Sequence, residues 1–503
     1  MTGNLLFVGG DLSGIQKFIY NITSKKAMMS LKGRSAYLRK YTDEVCGRIL
    51  SLPEIPSNPK DIEEMKIYCS GGKFYLQVPD TPSIRKSIDE LKHHVETELW
   101  EEHRGQLAIN IAYVPFRYDG DNVVVEGETY NIGILWQKMT EKFMTLKNQK
   151  FKNELLERYG EFFEVQKDGG KEPVCQVTGI EGAKAFDFGF ENDEKLTVLP
   201  SVKKQIEIGM KLRDKQHFKM LEEYAGDTYL GILRMDIDNL GAKFVRSDFK
   251  SMEEYKKFSL ALDSFFDGDE GRLHDLQAED EFRDFLNIVY AGGDDIFVVG
   301  RWDKVIDFAA KVKEEFKQYC RNELKENSLS ISGGIAIVDA KFPIAKAAEI
   351  AGEAEDAAKR YNGGKKNAFN MFGASVSWTD EFDYVKSYKD QFVSLIENCG
   401  LSRGILHKIM TYAEMVKENQ TIEAENKKGN FKRKPNLSYI WHTAYYLTRF
   451  MGKEKDNKAV YDFCKDLRDK QLVNANNYRL VSLAARWAEL ELRFNNSNNN
   501  KNE

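Results

Sequence analysis

The feature that most constrains this chain is a duplication. The segment "KIYCSGGKFYLQVP", residues 66–79, is echoed by "NIVYAGGDDIFVVG", residues 287–300. Each sets a glycine pair between two strand-like apolar runs, the pattern of a β-hairpin. The echo extends both ways. Asp11, in "NLLFVGGDLSGIQKFI", lies sixty residues before Gly71, and Asp236, in "YLGILRMDIDNLGAKF", lies fifty-six before Gly292. Downstream, residues 83–103 and 302–324 carry helical patterning. Each stretch leads into a β-branched run, "QLAINIAYVPF" and "SLSISGGIAIVDA". Aligning the glycine pairs puts Lys73 over Asp294 and Phe74 over Asp295.

Each copy therefore reads β–α–β–β–α–β, the ferredoxin-like order and the palm architecture of many polymerases and cyclases. The expected fold is α+β: two ferredoxin-like palm domains of GGDEF/cyclase type in tandem, a middle mixed domain and a C-terminal helical bundle. The expected boundaries are 1–116 for palm one, 117–225 for a mixed α/β linker region with short strands such as "NVVVEG", 226–376 for palm two and 377–503 for the helical domain. In that last part apolar residues recur every three or four positions, as in "GILHKIMTYAEMVKEN" and "LVSLAARWAELELRF". The final "NNSNNNKNE" is expected to be disordered.

Composition sets the outer limits. The 503 residues are 42% hydrophobic and 30% charged, an ordinary globular balance with material for about three or four domains. A net charge of −5 carries no global signature of nucleic-acid binding. The six cysteines are scattered without a C-x-x-C pair, which suits reduced thiols. No signal peptide or membrane-length apolar run is present, so the expected location is the cytoplasm, away from membranes.

The chemistry concentrates in the second copy. In "LRMDIDN", read as a strand, Leu233, Met235 and Ile237 share one face, and Arg234, Asp236 and Asp238 the other. If that strand adjoins the GGDD hairpin, Asp236, Asp294 and Asp295 converge. Adjacent carboxylates repel and are costly to desolvate, so a cation should offset them. Carboxylate oxygens suit hard divalent ions, and two such ions can activate an attacking hydroxyl and stabilise a leaving pyrophosphate. The expected catalytic residues are Asp294, Asp295 and Asp236, and the expected metal positions Asp236, Ile237, Asp294 and Asp295, holding two Mg²⁺ or Mn²⁺ ions. Gly292 and Gly293 would let the backbone turn and approach a triphosphate. Asp238 and the lysines of "AAKRYNGGKKNAF", Lys359, Lys365 and Lys366, are further nucleotide-binding candidates.

The first copy keeps Asp11 but lacks the acid pair. Its "GGDLSGIQKF" turn, with Ser13 and Gly14, leads into a helix whose free N–H groups favour phosphate or a base edge. Arg34 and Ser35 of "LKGRSAYLR" add to a non-catalytic nucleotide-binding half.

Together "GGDLSGIQKFIY", "LKGRSAYL", "YCSGGKFYL", "LRMDIDNLG", "YAGGDDIFVVG" and "KNAFNMFGASVSW" resemble the large subunit of type III CRISPR–Cas effector complexes, in its Csm-type branch. The resemblance spans essentially the whole chain. It implies an antiviral, RNA-binding assembly of guide RNA, target RNA, a guide-end-capping subunit and small helical subunits, the last meeting the C-terminal domain. It implies that target RNA switches on conversion of ATP to cyclic oligoadenylate messengers at Asp236, Asp294 and Asp295. Two departures stand out. The palm starts near Leu5, no His precedes His93, and the lone His-Asp pair, His274-Asp275, reads as a surface loop, so no HD nuclease activity is expected. "PVCQVTG" offers only Cys175, with Thr178 where a second thiol would fall, so no zinc is expected. The alternatives are AMP transfer to another small acceptor and a diguanylate-cyclase-like enzyme.

Overall fold

A computed structural model describes residues 3–23, 26–103, 105–157, 159–160, 173–189, 195–216, 218–226, 228–245, 249–267, 271–429 and 433–499. The strands are β1 (Leu5–Ser13), β2 (Lys66–Ser70), β3 (Lys73–Pro79), β4 (Ala108–Asp119), β5 (Asn122–Val125), β6 (Glu128–Tyr130), β7 (Lys184–Asp187), β8 (Lys195–Val198), β9 (Leu230–Ile237), β10 (Leu286–Gly292), β11 (Asp295–Arg301), β12 (Ile331–Val338), β13 (Ala368–Met371) and β14 (Ala374–Ser377). The first sheet runs β2-β3-β1-β4-β5-β6 and the second β10-β11-β9-β12-β13-β14. In both, the first four strands follow the ferredoxin-like order, with the first strand of each copy central. The α+β fold with two palms is thus the observed one.

The helices fall where the periodicity placed them. Pro82–His103 buries Ile84, Ile88, Val95 and Leu99, and Trp302–Asn322 buries Val305, Ile306, Ala309, Val312 and Phe316. Both sets recur at three- and four-residue spacing, the stripe a helix needs to lie on a sheet. Strand β9 alternates as read: Leu233, Met235 and Ile237 are buried, while Arg234 and Asp236 are partly exposed.

The chain forms two compact units, 1–331 with 337–352, and 332–336 with 353–503, so the division falls within β12. In the first unit, β5 and β6 prolong the first sheet beyond β4. The helix Ile134–Lys147 covers that sheet through Leu135, Trp136, Met139 and Phe143, and Trp136 stacks on Tyr255 with ring centres 3.9 Å apart. In the second unit, β13 and β14 form a hairpin, and the helices Glu381–Asn398, Gly404–Lys427, Ser438–Met451, Lys458–Asp466 and Ala475–Asn499 form the helical part.

Two expectations change. The polar tail is helical as far as Asn499, and Asn495 Nδ2 donates to Glu397 Oε1 at 2.9 Å; residues 500–503 lie outside the described set. His274-Asp275 lies on the helix Arg272–Ala278 and not in a loop. Leu273 and Leu276, three apart, are fully buried and seat that turn on the core. Of the segment around it, residues 268–270 lie outside the described set.

Candidate active site between two hairpins

Strand register fixes the carboxylates first. Asp295 opens β11 and pairs with Asp236 across the antiparallel ladder, where directly opposed side chains are near neighbours. Asp294 precedes it in the turn. Its carbonyl accepts from Ile237 N at 3.2 Å, which ties the turn to the end of β9.

The same register corrects the alignment by glycine pairs. In the first palm Asp11 faces Lys73, as Asp236 faces Asp295. Lys73 therefore stands in the place of Asp295, and Gly72 in that of Asp294. The two hairpins differ by one residue in where their glycines fall. Gly71 and Gly72 both have positive φ, 59° and 80°, the pattern of a type I′ turn. In the second palm only Gly293 is positive, at 68°. The following position then needs no glycine, as in a type II′ turn, and a carboxylate can occupy the tip. Gly292 belongs to β10 and has ordinary φ.

The two turns meet backbone to backbone. A Cβ on Gly71 would stand 2.6 Å from Gly293 N, and one on Gly292 would stand 3.1 Å from Gly71 Cα. A side chain at Gly292 would press on the turn of the other palm. From the first palm Gln16 Nε2 also donates to Asp295 Oδ2 at 3.2 Å.

Beside this junction lies a cavity of about 250 Å³. Its polar lining includes Asp11, Lys73, Lys147 and Asp294; its apolar lining includes Trp136, Phe143 and Phe244. Asp11 is buried and paired with Lys147 at 2.6 Å. Burial alone would lower the pKa of Lys73, but the attraction of Asp294 foremost, with Asp11 and Asp295 behind it, outweighs it and raises the value. Tyr68 and Tyr290 flank the turn. Burial first, then neighbouring carboxylates, raises both phenols well above their ordinary value, so both remain protonated donors.

The other expected residues are placed as follows. Ile237 has a buried side chain, so its carbonyl alone could ligate a metal. Asp238 is buried, takes a 2.6 Å hydrogen bond from Ser330 Oγ, and donates its own N–H to Ser330 O at 2.8 Å. Ser13 Oγ accepts from Asn110 Nδ2 at 2.7 Å. Gly14 has φ 92°, and a Cβ there would stand 2.6 Å from Gln106 O. The helix after it, Ile15–Tyr20, has only six residues. Arg34 is turned inward, against expectation. It is fully buried, with Nε donating to Gln205 Oε1 at 3.0 Å and Nη1 to the carbonyls of Phe18 and Asn21; its helical phase points it at the helix Pro200–Gln216, away from solvent. Ser35, beside Arg34 on the helix Ala27–Leu50, is half-buried. In the second unit, Lys359 pairs with the buried Glu355 at 2.6 Å, Lys365 is exposed and Lys366 half-buried. Gln16, Lys147 and the aromatic lining were missed. They come from other elements, and no spacing in the sequence links them to the acids.

The donor set suits a hard divalent ion. Asp236 and Asp295 present carboxylate oxygens from neighbouring strands, and Asp294 lies in the adjoining turn, where it lines the cavity. Among the described residues no three or more His, Cys, Asp and Glu side chains gather into a group that could hold a metal ion by themselves. An ion here would complete its shell with water and phosphate oxygens, the habit of Mg²⁺.

A family model described as Cas10/Cmr2, second palm domain, matches residues 229–370, and one described as Csm1 subunit domain B matches residues 4–166. The CRISPR system single-strand-specific deoxyribonuclease Cas10/Csm1 (subtype III-A) of Enterococcus italicus is 26% identical over 95% of this chain and 66% of its own length. The protein of the same description from Mycobacterium tuberculosis is 24% identical over 72% of this chain and 53% of its own length. The chain thus spans about half to two thirds of these curated relatives. Among solved structures, a Csm1–Csm4 cassette in complex with one ATP superposes with a TM-score of 0.62 at 20% identity, over 96% of this chain and 70% of that one; that likeness is one of fold. Among the described residues no helix is long and apolar enough to cross a membrane. With one palm region matched by a Cas10/Cmr2 domain model, the other by a Csm1 domain model, and curated relatives along nearly its whole length, the chain is a homologue of the Cas10/Csm1 large subunits of type III-A CRISPR systems.

Proposed function

We propose that this chain is a target-RNA-activated, metal-dependent nucleotidyltransferase that converts ATP to cyclic oligoadenylates with release of pyrophosphate, within an RNA-guided antiviral complex. The observation that carries the reading is the meeting of the two turns: an acid-bearing hairpin abuts its acid-free copy across a shared cavity. Two nucleotides held there, one per palm, would lie side by side. A solved Csm1–Csm4 cassette holds cA4 and another holds one ATP, which supports adenine nucleotides as the class of ligand.

In this reading Asp236, Asp295 and Asp294, with the carbonyl of Ile237, hold the divalent ions. When bound, such ions neutralise phosphate charge and favour ionisation of an attacking hydroxyl. A ribose hydroxyl of the nucleotide on the first palm forms a bond to the α-phosphorus of ATP on the second. The bond from that phosphorus to pyrophosphate breaks, and the hydroxyl proton leaves to solvent. Gln16 holds the Asp295 carboxylate in place, and the aromatic lining excludes water from the reacting groups. Ser13, Gly14, Gly292, Gly293, Asp238, Lys359 and Lys366 remain proposed nucleotide contacts, and the four-part division at 116, 225 and 376 remains the proposed domain plan.

Guide RNA, target RNA and an end-capping subunit are the proposed partners; a solved Csm1–Csm4 subcomplex supports the last. The helical domain is the proposed seat of the small helical subunits. Leu437, Ile440, Trp441 and Tyr445, each more than half exposed, supply an apolar surface there. No HD nuclease activity is proposed for the described residues.

The test is the assembled complex with matching target RNA, ATP and Mg²⁺, its product weighed by mass spectrometry. Cyclic oligoadenylate is expected, and Asp294→Ala/Asp295→Ala should reduce it by on the order of 10²-fold or more. Undiminished product from the double variant, or none from the wild type, overturns the reading; a mass matching AMP on another acceptor selects the alternative transfer.

A further inference from the structure

The hairpin of the first palm carries a lysine where that of the second carries an acid. Lys73 occupies the register position that Asp295 occupies in the second palm. Its side chain lines the cavity that Asp294 also lines. Its cross-strand neighbour Asp11 is already neutralised by Lys147 at 2.6 Å. Among the described residues the Lys73 ammonium makes no hydrogen bond or close ion pair, so its three donors are uncommitted. A cation held in the field of carboxylates, with its donors free and a cavity in front of it, has the chemistry of an anion receptor. The abutting turns set the distance, because Gly71 and Gly293 are in backbone contact, two residues from Lys73 and one from Asp294.

We propose that Lys73, reaching across from the first palm, donates to the phosphates of the nucleotide taken up beside Asp294. This rests on the nucleotidyltransferase reading for the identity of the ligand. The substitution that cost the first palm its carboxylate would then have given the second palm a phosphate contact. Asymmetry between the copies becomes a division of labour inside one site: acids for the metal from one hairpin, a fixed positive charge from the other.

Equilibrium binding of ATP and of adenosine to the full chain in Mg²⁺ tests this, with wild type, Lys73→Met, Lys73→Gln and Lys73→Arg compared and the fold checked by thermal midpoint. Lys73→Met should weaken ATP by about tenfold or more, the scale of a charged hydrogen bond, and leave adenosine unchanged. Lys73→Arg should keep most of the ATP affinity. Lys73→Gln reads the same quantity if Lys73→Met unfolds. ATP affinity unchanged in the neutral variants, a parallel loss for adenosine, or no ATP binding by the wild type overturns the proposal. If the assembled complex forms no nucleotide product while Lys73 still separates ATP from adenosine, the catalytic reading falls and the phosphate contact stands.

Discussion

Asp295 and Asp236 are two like charges placed directly across a ladder, an arrangement that destabilises a sheet unless something positive intervenes. Gln16 donates a hydrogen bond to Asp295. Removing one of two directly opposed like charges should spare the fold and weaken cation binding. In metal-free buffer Asp295→Asn is expected to melt at or above the wild-type temperature. Saturating Mn²⁺ should stabilise the wild type by about 1–3 kcal/mol and the variant by much less. Thermal melts with and without the ion read both effects; equal Mn²⁺ stabilisation of the two proteins would count against metal binding at this pair. These acids were legible because a strand alternates and its hydrophobic face, Leu233, Met235 and Ile237, had to go inward. Arg34 was not legible. An arginine beside a serine in a basic stretch reads as a ligand contact, and only the helix packed against it shows that its guanidinium serves two main-chain carbonyls and Gln205.

At the scale of the element, the hairpins show how far letters and geometry can part. Two GG pairs invite a one-to-one alignment. The turn types place the first glycine of one pair against the second of the other, and so bring Lys73 over Asp295. Nothing in a single sequence distinguishes I′ from II′ when both begin with glycine. The close contact of the turns yields a prediction about a residue that bears no chemistry. Gly71→Ala meets two obstacles, a positive φ and a main-chain nitrogen 2.6 Å from the new Cβ. Gly120→Ala, with φ 62° and open space around it, meets only the first. The φ penalty alone is about 1–2 kcal/mol. Gly120→Ala should cost about that much and leave turnover intact. Gly71→Ala should cost more and lower turnover on the order of 10²-fold, the scale of a misplacement of about 1 Å at reacting groups. Denaturant unfolding and product formation, measured side by side, separate the two; equal behaviour would mean that the turns do not constrain one another.

For the whole molecule, the consequence of duplication is that both halves of the site travel on one chain. The order of the elements was legible twice over, because four segments recurred in sequence at nearly matching intervals. That the copies meet at their turns was not, since the contact is tertiary and glycine against glycine leaves no hydrophobic signal. Cyclases that share this palm form would assemble the same arrangement from two molecules, and their specific activity must then fall on dilution below the dimer dissociation constant. Here Gly71 and Gly292–Gly293 are already in contact within one unit. The rate per chain in the assembled complex should therefore stay constant over a dilution of about 100-fold at saturating ATP and target RNA, a range in which a dimer-dependent rate would drop steeply once most protein is monomeric. Mixing gives an independent check. A complex carrying Asp294→Ala/Asp295→Ala, combined with one carrying Gly71→Ala, should show only the sum of their separate activities. Restoration beyond that sum would mean that palms from different chains can pair, and would favour the diguanylate-cyclase-like alternative.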